Sequence, residues 1–237
     1  MLPKQYDIQT LRICETKEEF RKISRKHVGL FTTSMIQHEG YYISVNSLGT
    51  NWQDLTTVHT WHPQENNGIG KNGKYIIGMY NHDGSWEFHI TKNTGVKDQN
   101  FSMFEDWDSL KNFIISQWKR GWDITELKTF DDKYYIVTSY GLNLNQGWAL
   151  GSKYPKDEIK KAYENGMVIT EVAQIKDKYL WIFSGNTGFE SQVLEYNPNT
   201  EKILSYRDAI VSDNKYDGYS LASIKEYYNK LLFIFVS

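Results

Sequence analysis

Residues 93–99 read NTGVKDQ and residues 186–192 read NTGFESQ. The frame Asn-Thr-Gly-x-x-x-Gln thus occurs twice in a chain of 237 residues, and its spacing decides the fold. Gln99 and Gln192 lie 93 residues apart. Midway stands Gln146, behind Gly141 in GLNLNQ; one step before Gln99 stands Gln53, behind Gly49 in GTNWQ. Successive Gln residues are 46, 47 and 46 apart. A fixed period of this length marks a repeat architecture.

A second landmark keeps the same step. GWDIT begins at Gly121, GMVIT at Gly166 and GYSLA at Gly218. Twelve residues after each Gly, a Lys (Lys133, Lys178, Lys230) opens an apolar stretch: YYIVTS, YLWIFS, LLFIFVS. Gly29 and Gly73 hold the same place before YYISV and WEFHI. Five repeats therefore start near residues 29, 73, 121, 166 and 218. The fifth stops early at Ser237, and the missing portion sits at the N-terminus, where Gln5 precedes a strand and a helical stretch. Residues 1–28 are thus expected to complete the last repeat. The whole of 1–237 reads as one closed, fivefold toroidal domain, since an open solenoid carries atypical caps instead.

Within one repeat, DITELKTF alternates apolar and polar residues and reads as a strand. DDK turns the chain, using Asp residues that tolerate turn dihedrals. YYIVTSY completes a hairpin, GLNLNQ reads as a loop and GWALG as a short third strand. KDEIKKAYEN, behind Pro155, carries acidic residues in its first turn and reads as a helix. Analogous helices are expected over 16–28, opened by the capping box Thr16-x-x-Glu19, and over 108–120, with Leu110, Phe113, Ile114 and Trp118 on one stripe. The Gly after each helix suits a left-handed C-terminal position. The expected fold is mainly β with short helices: a five-bladed β-propeller of three-stranded blades, each with an outer helix. The alternative is a pentein-like α/β propeller, whose unit has the same cyclic order.

Bulk composition narrows the function classes. There are 27 basic and 29 acidic residues, and the sequence contains no basic block, which argues against a nucleic-acid partner. No apolar run approaches membrane-spanning length, and MLPKQYDIQT lacks the apolar segment of a secretory signal. The expectation is a cytoplasmic protein without a membrane partner. One cysteine, Cys14, excludes an intramolecular disulfide.

The frame W-x-x-G-[YW]-x-I-T, then G-x-x-x-Q and P-x-x-x-I, is carried by Trp118, Gly121, Trp122, Ile124, Thr125, Gly141, Gln146, Pro155, Ile159, Gly166, Ile169, Thr170, Gly188 and Gln192. Over 105–196 it resembles the uncharacterised repeat domain found C-terminal to some plant casein-kinase-like kinases and alone in bacterial proteins. The resemblance implies a repeat module without an established function.

Candidate binding residues are the repeated Gln53, Gln99, Gln146 and Gln192, and the irregular stretch holding Trp52, His59, Trp61 and His62. Each Gln offers an amide to a ligand or to the backbone of a neighbouring unit. Loop Trp flanked by Asn, Gln and His suits a protein hot spot or a sugar platform. His59 and His62 stand three apart, but no HExxH or CxxC accompanies them, and no metal or cofactor is expected. Cys14 is the one pentein-type nucleophile candidate and reads better as a small buried hydrophobe. The sequence thus favours a non-catalytic module presenting loops to a protein. A carbohydrate-binding lectin comes second and a pentein-like hydrolase third.

Overall fold

The computed structural model describes residues 8–16, 18–19, 31–48, 53–60, 73–82, 84–92, 94–197 and 219–237. Among the described residues, fifteen strands form five three-stranded antiparallel sheets. Sheet 1 holds β1 (Ile8–Cys14), β2 (Phe31–His38) and β3 (Tyr41–Leu48). Sheet 2 holds β4 (Gln53–Thr60), β5 (Tyr75–His82) and β6 (Ser85–Lys92). Sheet 3 holds β7 (Asp98–Phe104), β8 (Trp122–Phe130) and β9 (Lys133–Tyr140), with α1 (Trp107–Lys119) between its first two strands. Sheet 4 holds β10 (Asn145–Gly151), β11 (Val168–Ile175) and β12 (Lys178–Gly185), with α2 (Lys156–Glu164) in the same place. Sheet 5 holds β13 (Gln192–Asn197), β14 (Ser220–Glu226) and β15 (Leu231–Val236). In every sheet the third strand lies between the other two.

The chain divides into two compact units, Met1–Leu2 with Asn51–Gly188 and Pro3–Thr50 with Phe189–Ser237. Sheets 2, 3 and 4 belong to the first, sheets 1 and 5 to the second.

Local sequence explains the elements. Asp106 caps α1, its carboxylate accepting Ser109 N–H at 2.8 Å. Leu110 and Ile114 of α1 are buried, and Phe113 and Trp118 pack against the same cluster. Gly121 ends the helix at φ +76°, donating its N–H to Trp118 O, a conformation costly for a side chain. Asp131 and Asp132, at φ 51° and 55°, make the tight turn between β8 and β9. Of the expected helix over 16–28, Glu19 N–H donates to Thr16 Oγ1 at 3.1 Å, half of the capping box; the rest lies outside the described residues.

Each second strand bulges at one position: Thr33, Ile77, Thr125, Thr170 and Ala222 are skipped in the pairing. Each is the fifth residue of its Gly frame. At three of them a Thr hydroxyl meets a Ser fourteen residues on: Thr33 with Ser47 at 2.9 Å, Thr125 with Ser139 at 2.8 Å, Thr170 with Ser184 at 2.6 Å.

The core lies between sheets. Ile76, Met79, Trp86, Phe88 and Ile90 of sheet 2 pack against Tyr135 and Val137 of sheet 3. Tyr134 and Ile136, on the other face of sheet 3, pack against Leu180 and Ile182 of sheet 4. In the second unit, Leu11, Ile43 and Val45 of sheet 1 pack against Leu231, Phe233 and Phe235 of sheet 5. Burying each such side chain stabilises by about 1.5–3 kcal/mol.

Two sequence expectations need correction. Residues 1–28 were expected to complete the last repeat, but β1 pairs with β3 and finishes the first sheet. The strand after each repeated Gln pairs forward, with the hairpin that follows, so repeat and sheet are offset by one strand. Second, the repeated Gln residues are not loop residues: Gln53 and Gln192 open β4 and β13, and Gln99 and Gln146 stand second in β7 and β10.

Candidate functional site

The repeated glutamines divide the polar groups of the frame from those that break it. Gln146 Oε1 accepts the N–H of Ile124 at 2.7 Å and the indole N–H of Trp118 at 2.9 Å. Its Nε2 donates to Ile124 O and to Ser184 Oγ, both at 2.9 Å. Gln99 repeats the arrangement one sheet earlier. It accepts Ile76 N–H at 2.7 Å and donates to Ile76 O and Ser139 Oγ, both at 3.0 Å. Each amide therefore pairs with the backbone of the preceding sheet, and both of its N–H donors are used inside the protein.

In the second unit the part is taken by Gln9. It accepts Leu221 N–H at 2.7 Å and donates to Leu221 O at 3.0 Å and Ser47 Oγ at 2.9 Å. Gln9, not Gln5, is the fifth copy in the frame; Gln5 lies outside the described residues. The first sheet thus holds the last one as sheet 3 holds sheet 2 and sheet 4 holds sheet 3. Neighbouring second strands add a further bond, from Leu127 N–H to Glu171 Oε2 at 3.3 Å and from Ile224 N–H to Ser34 Oγ at 2.9 Å. Gln192 pairs through its backbone with Val236, and Gln53 with Lys92.

Of the irregular stretch, Trp52, Trp61 and His62 lie outside the described residues. His59 lies on β4, opposite Glu87 of β6. There the frame breaks. The register aligns the five central strands residue by residue. The place of Glu87 is held elsewhere by Ile43, Tyr135, Leu180 and Leu232, and that of His89 by Val45, Val137, Ile182 and Ile234. All eight are buried core residues. Glu87 and His89 are buried too, each 3% exposed. Burying a carboxylate and an imidazole costs free energy that the apolar siblings avoid.

Around Glu87 stands a set of histidines. His89 Nε2 lies 2.9 Å from Glu87 Oε1, and His59 Nδ1 lies 3.5 Å from Oε2. Tyr80, opposite Glu87 on β5, sets its ring edge-on to His89 at 5.0 Å. Its hydroxyl folds back over Gly78, where a Cβ would clash with it. Burial works to raise the Glu87 pKa, but the His89 hydrogen bond and the charges of His89, His59 and His82 outweigh it and hold the carboxyl below its ordinary range. Burial pushes the Tyr80 hydroxyl well up, aided by Glu126, Glu87 and Glu171, so it stays protonated. Among the described residues, no group of three His, Cys, Asp or Glu stands where it could hold a metal ion.

Sequence reasoning missed Glu87, His89 and Tyr80. The signal was present in WEFHI, whose Glu and His stand where the sibling strands YYIVTS and YLWIFS carry apolar residues.

Cys14 is 2% exposed; burial pushes its thiol up, Glu19 adds to this and Arg12 opposes it. A protonated, enclosed thiol is a poor nucleophile. No described helix is long and apolar enough to cross a membrane.

No curated protein and no solved structure matches this chain. Residues 60–208, well over half of its length, match the profile of a domain of unknown function, DUF7477. That span covers the three sheets bound by Gln99 and Gln146, except most of β4, and it holds Tyr80, Glu87 and His89 but not His59; the chain belongs to the DUF7477 family.

Proposed function

We propose that the chain is a non-catalytic binding module, a rigid five-bladed propeller presenting loops to a protein partner in the cytoplasm. The observation that carries this reading is the repeated Gln amide, which joins one sheet to the backbone of the sheet before it. Sheet 1 stands to sheet 5 as sheet 3 stands to sheet 2, the order a closed fivefold toroid requires. The most regular polar residues thereby act as structure, and the large hydrophobic residues left exposed in the first unit are tyrosines. Tyr140, Tyr154 and Tyr163 of the first unit are 43%, 45% and 37% exposed. Tyr140 lies beside the Trp122 ring at 5.8 Å. Tyrosine and tryptophan are enriched at protein interfaces because they add large contact area at low entropic cost. The resemblance of residues 105–196 to a module that occurs beside kinase domains or alone belongs to the same reading. The enclosed Cys14 thiol weighs against a pentein-like hydrolase.

Affinity capture from a lysate of the source cells, with the wild type and Tyr140→Ala as baits, tests the reading. The expected result is a protein retained by the wild type and lost with the variant. Recovery of nothing beyond the bare resin ends the protein-partner reading, and specific retention on a glycan array transfers it to a lectin.

A further inference from the structure

Sheets 3 and 4 share one plan at their strand ends, but sheet 3 carries aromatic and basic residues there and sheet 4 does not. The place of Tyr140 is held by Gly185, and that of Lys97, two residues before the repeated Gln, by Leu144. Before the Gly that follows each helix stand Lys119 and Arg120 in sheet 3, Glu164 and Asn165 in sheet 4. Both helices stop alike, with Arg120 N–H donating to Gln117 O and Asn165 N–H to Ala162 O. The other sheets put Leu48, Lys92 and Ser237 at the place of Tyr140. The connector bond from Lys97 N–H to Tyr140 O, at 2.8 Å, recurs at 2.8 Å from Glu190 N–H to Ser237 O. The fold therefore requires neither the aromatic ring nor the positive charges.

The geometry gathers these residues. Tyr140 pairs with Trp122 across the sheet. Its ring edge lies over Gly121, where a Cβ would stand 3.8 Å from Cε2. The stem of Lys97 crosses Gly141, where a Cβ would stand 2.8 Å from its Cγ. Lys97, Lys119, Arg120 and Tyr140 are exposed, and Trp122 is half-buried. Among the described residues these three cations make no ion pair, whereas Lys128, Lys133 and Lys160 meet Glu126, Glu105 and Glu164. The nearby carboxylates are engaged elsewhere. Asp98 accepts Gln99 N–H at 2.9 Å, and the enclosed Asp123 accepts Leu144 N–H at 3.1 Å. An exposed Trp–Tyr pair offers an apolar anchor, and unpaired cations beside it attract the opposite charge.

We infer that the Trp122–Tyr140 pair, with Lys97 and Arg120 beside it and Lys119 next in the chain, docks an acidic protein segment bearing an aromatic or large aliphatic side chain. That side chain lies against the two rings, and flanking carboxylates meet the cations. Such docking rests on the protein-binding reading above and gives its partner a chemistry.

The test uses fluorescence anisotropy with the full chain and two labelled peptides, one of Glu, Gly and Phe and one with Lys in place of every Glu. The acidic peptide should bind, and more weakly as sodium chloride is raised, since salt screens exposed charges. The double reversal Lys97→Glu with Arg120→Glu should weaken binding about tenfold, and Tyr140→Ala about tenfold or more. All three side chains are exposed, so the variants should unfold at the wild-type temperature. Failure of the acidic peptide to bind, equal binding of the lysine peptide, or indifference to the double reversal overturns the proposal. A partner captured from lysate through Tyr140 but retained equally by the double reversal also overturns it, and leaves the protein-binding reading standing.

Discussion

Sheets 2 and 3 share one plan and differ in what they bury. In sheet 3, Tyr135 and Val137 on the central strand and Phe101 and Met103 on the first strand press an apolar face on the sheet before it. In sheet 2 the same four places hold Glu87, His89, His59 and Thr57. Both sheets keep the bulge, and Gln99 joins them directly. The backbone plan therefore does not depend on an apolar residue at every position. It depends on bonds at the strand ends, and those bonds leave room for one sheet to diverge.

The sharpest way to break the comparison is to make sheet 3 resemble sheet 2 in part. Tyr135→Glu places a carboxylate at the place of Glu87, a buried site with no histidine to receive it. We expect a loss of about 4 kcal/mol or more, read as a collapse of the urea midpoint. A midpoint near that of the wild type would mean that the polar face needs no partners at all. Gln146→Ala leaves the N–H and C=O of Ile124 and the Trp118 indole unpaired, at about 3 kcal/mol. Gln99→Ala should cost somewhat less, since no indole shares its oxygen; equal costs would show that the backbone pair carries the effect.

The two sheets also titrate in opposite senses. Asp123 of sheet 3, 3% exposed, has a carboxyl pushed up to about 6 by burial, against the lowering pull of the Leu144 and Asn143 N–H groups. Its folded pKa lies above the unfolded value of 3.8, so its contribution is intact below that value and is lost as pH rises from there through about 6. The change amounts to about 3 kcal/mol. Asp123→Asn keeps an acceptor for Leu144 and should remove that slope from stability measured between pH 4 and 8. Glu87 of sheet 2 is held below its ordinary range, so its contribution is intact above that range and lost as pH falls through the folded value. Glu87→Gln should flatten the acid limb and leave the slope near pH 6 in place. The smallest effect is expected for Trp118→Phe, which keeps the packing and drops one hydrogen bond, about 1 kcal/mol by thermal unfolding.

The sequence carried the period, the hairpins and both described helices, because those follow from local pattern. It did not carry the offset between repeat and sheet. A cyclic pattern can be cut at any point, and cutting it at the Gly before the hairpin hides the forward pairing of β4, β7, β10 and β13. Nor did it separate Gln5 from Gln9: neither has the preceding Gly that marks the other copies, and only the bond to Leu221, 212 residues away in the chain, decides. The Thr–Ser pairs were legible as a spacing of fourteen in three repeats. The Glu87 cluster was legible only by comparing central strands position by position, since WEFHI satisfies a strand pattern as it stands. Of the irregular stretch read as functional, His59 alone has a described side chain, and it borders that cluster.

Among the described residues every sheet is built from consecutive chain, and none pairs β1 with β13, β14 or β15. Gene duplication of one period would thus deliver a finished sheet, with its own hairpin and its own attachment to its predecessor, and would dissolve no existing pairing. Loss of one period would be equally clean. A lineage built this way can vary the number of its parts by recombination while each part drifts in sequence, which leaves one copy free to acquire a buried charge without copying it to the rest.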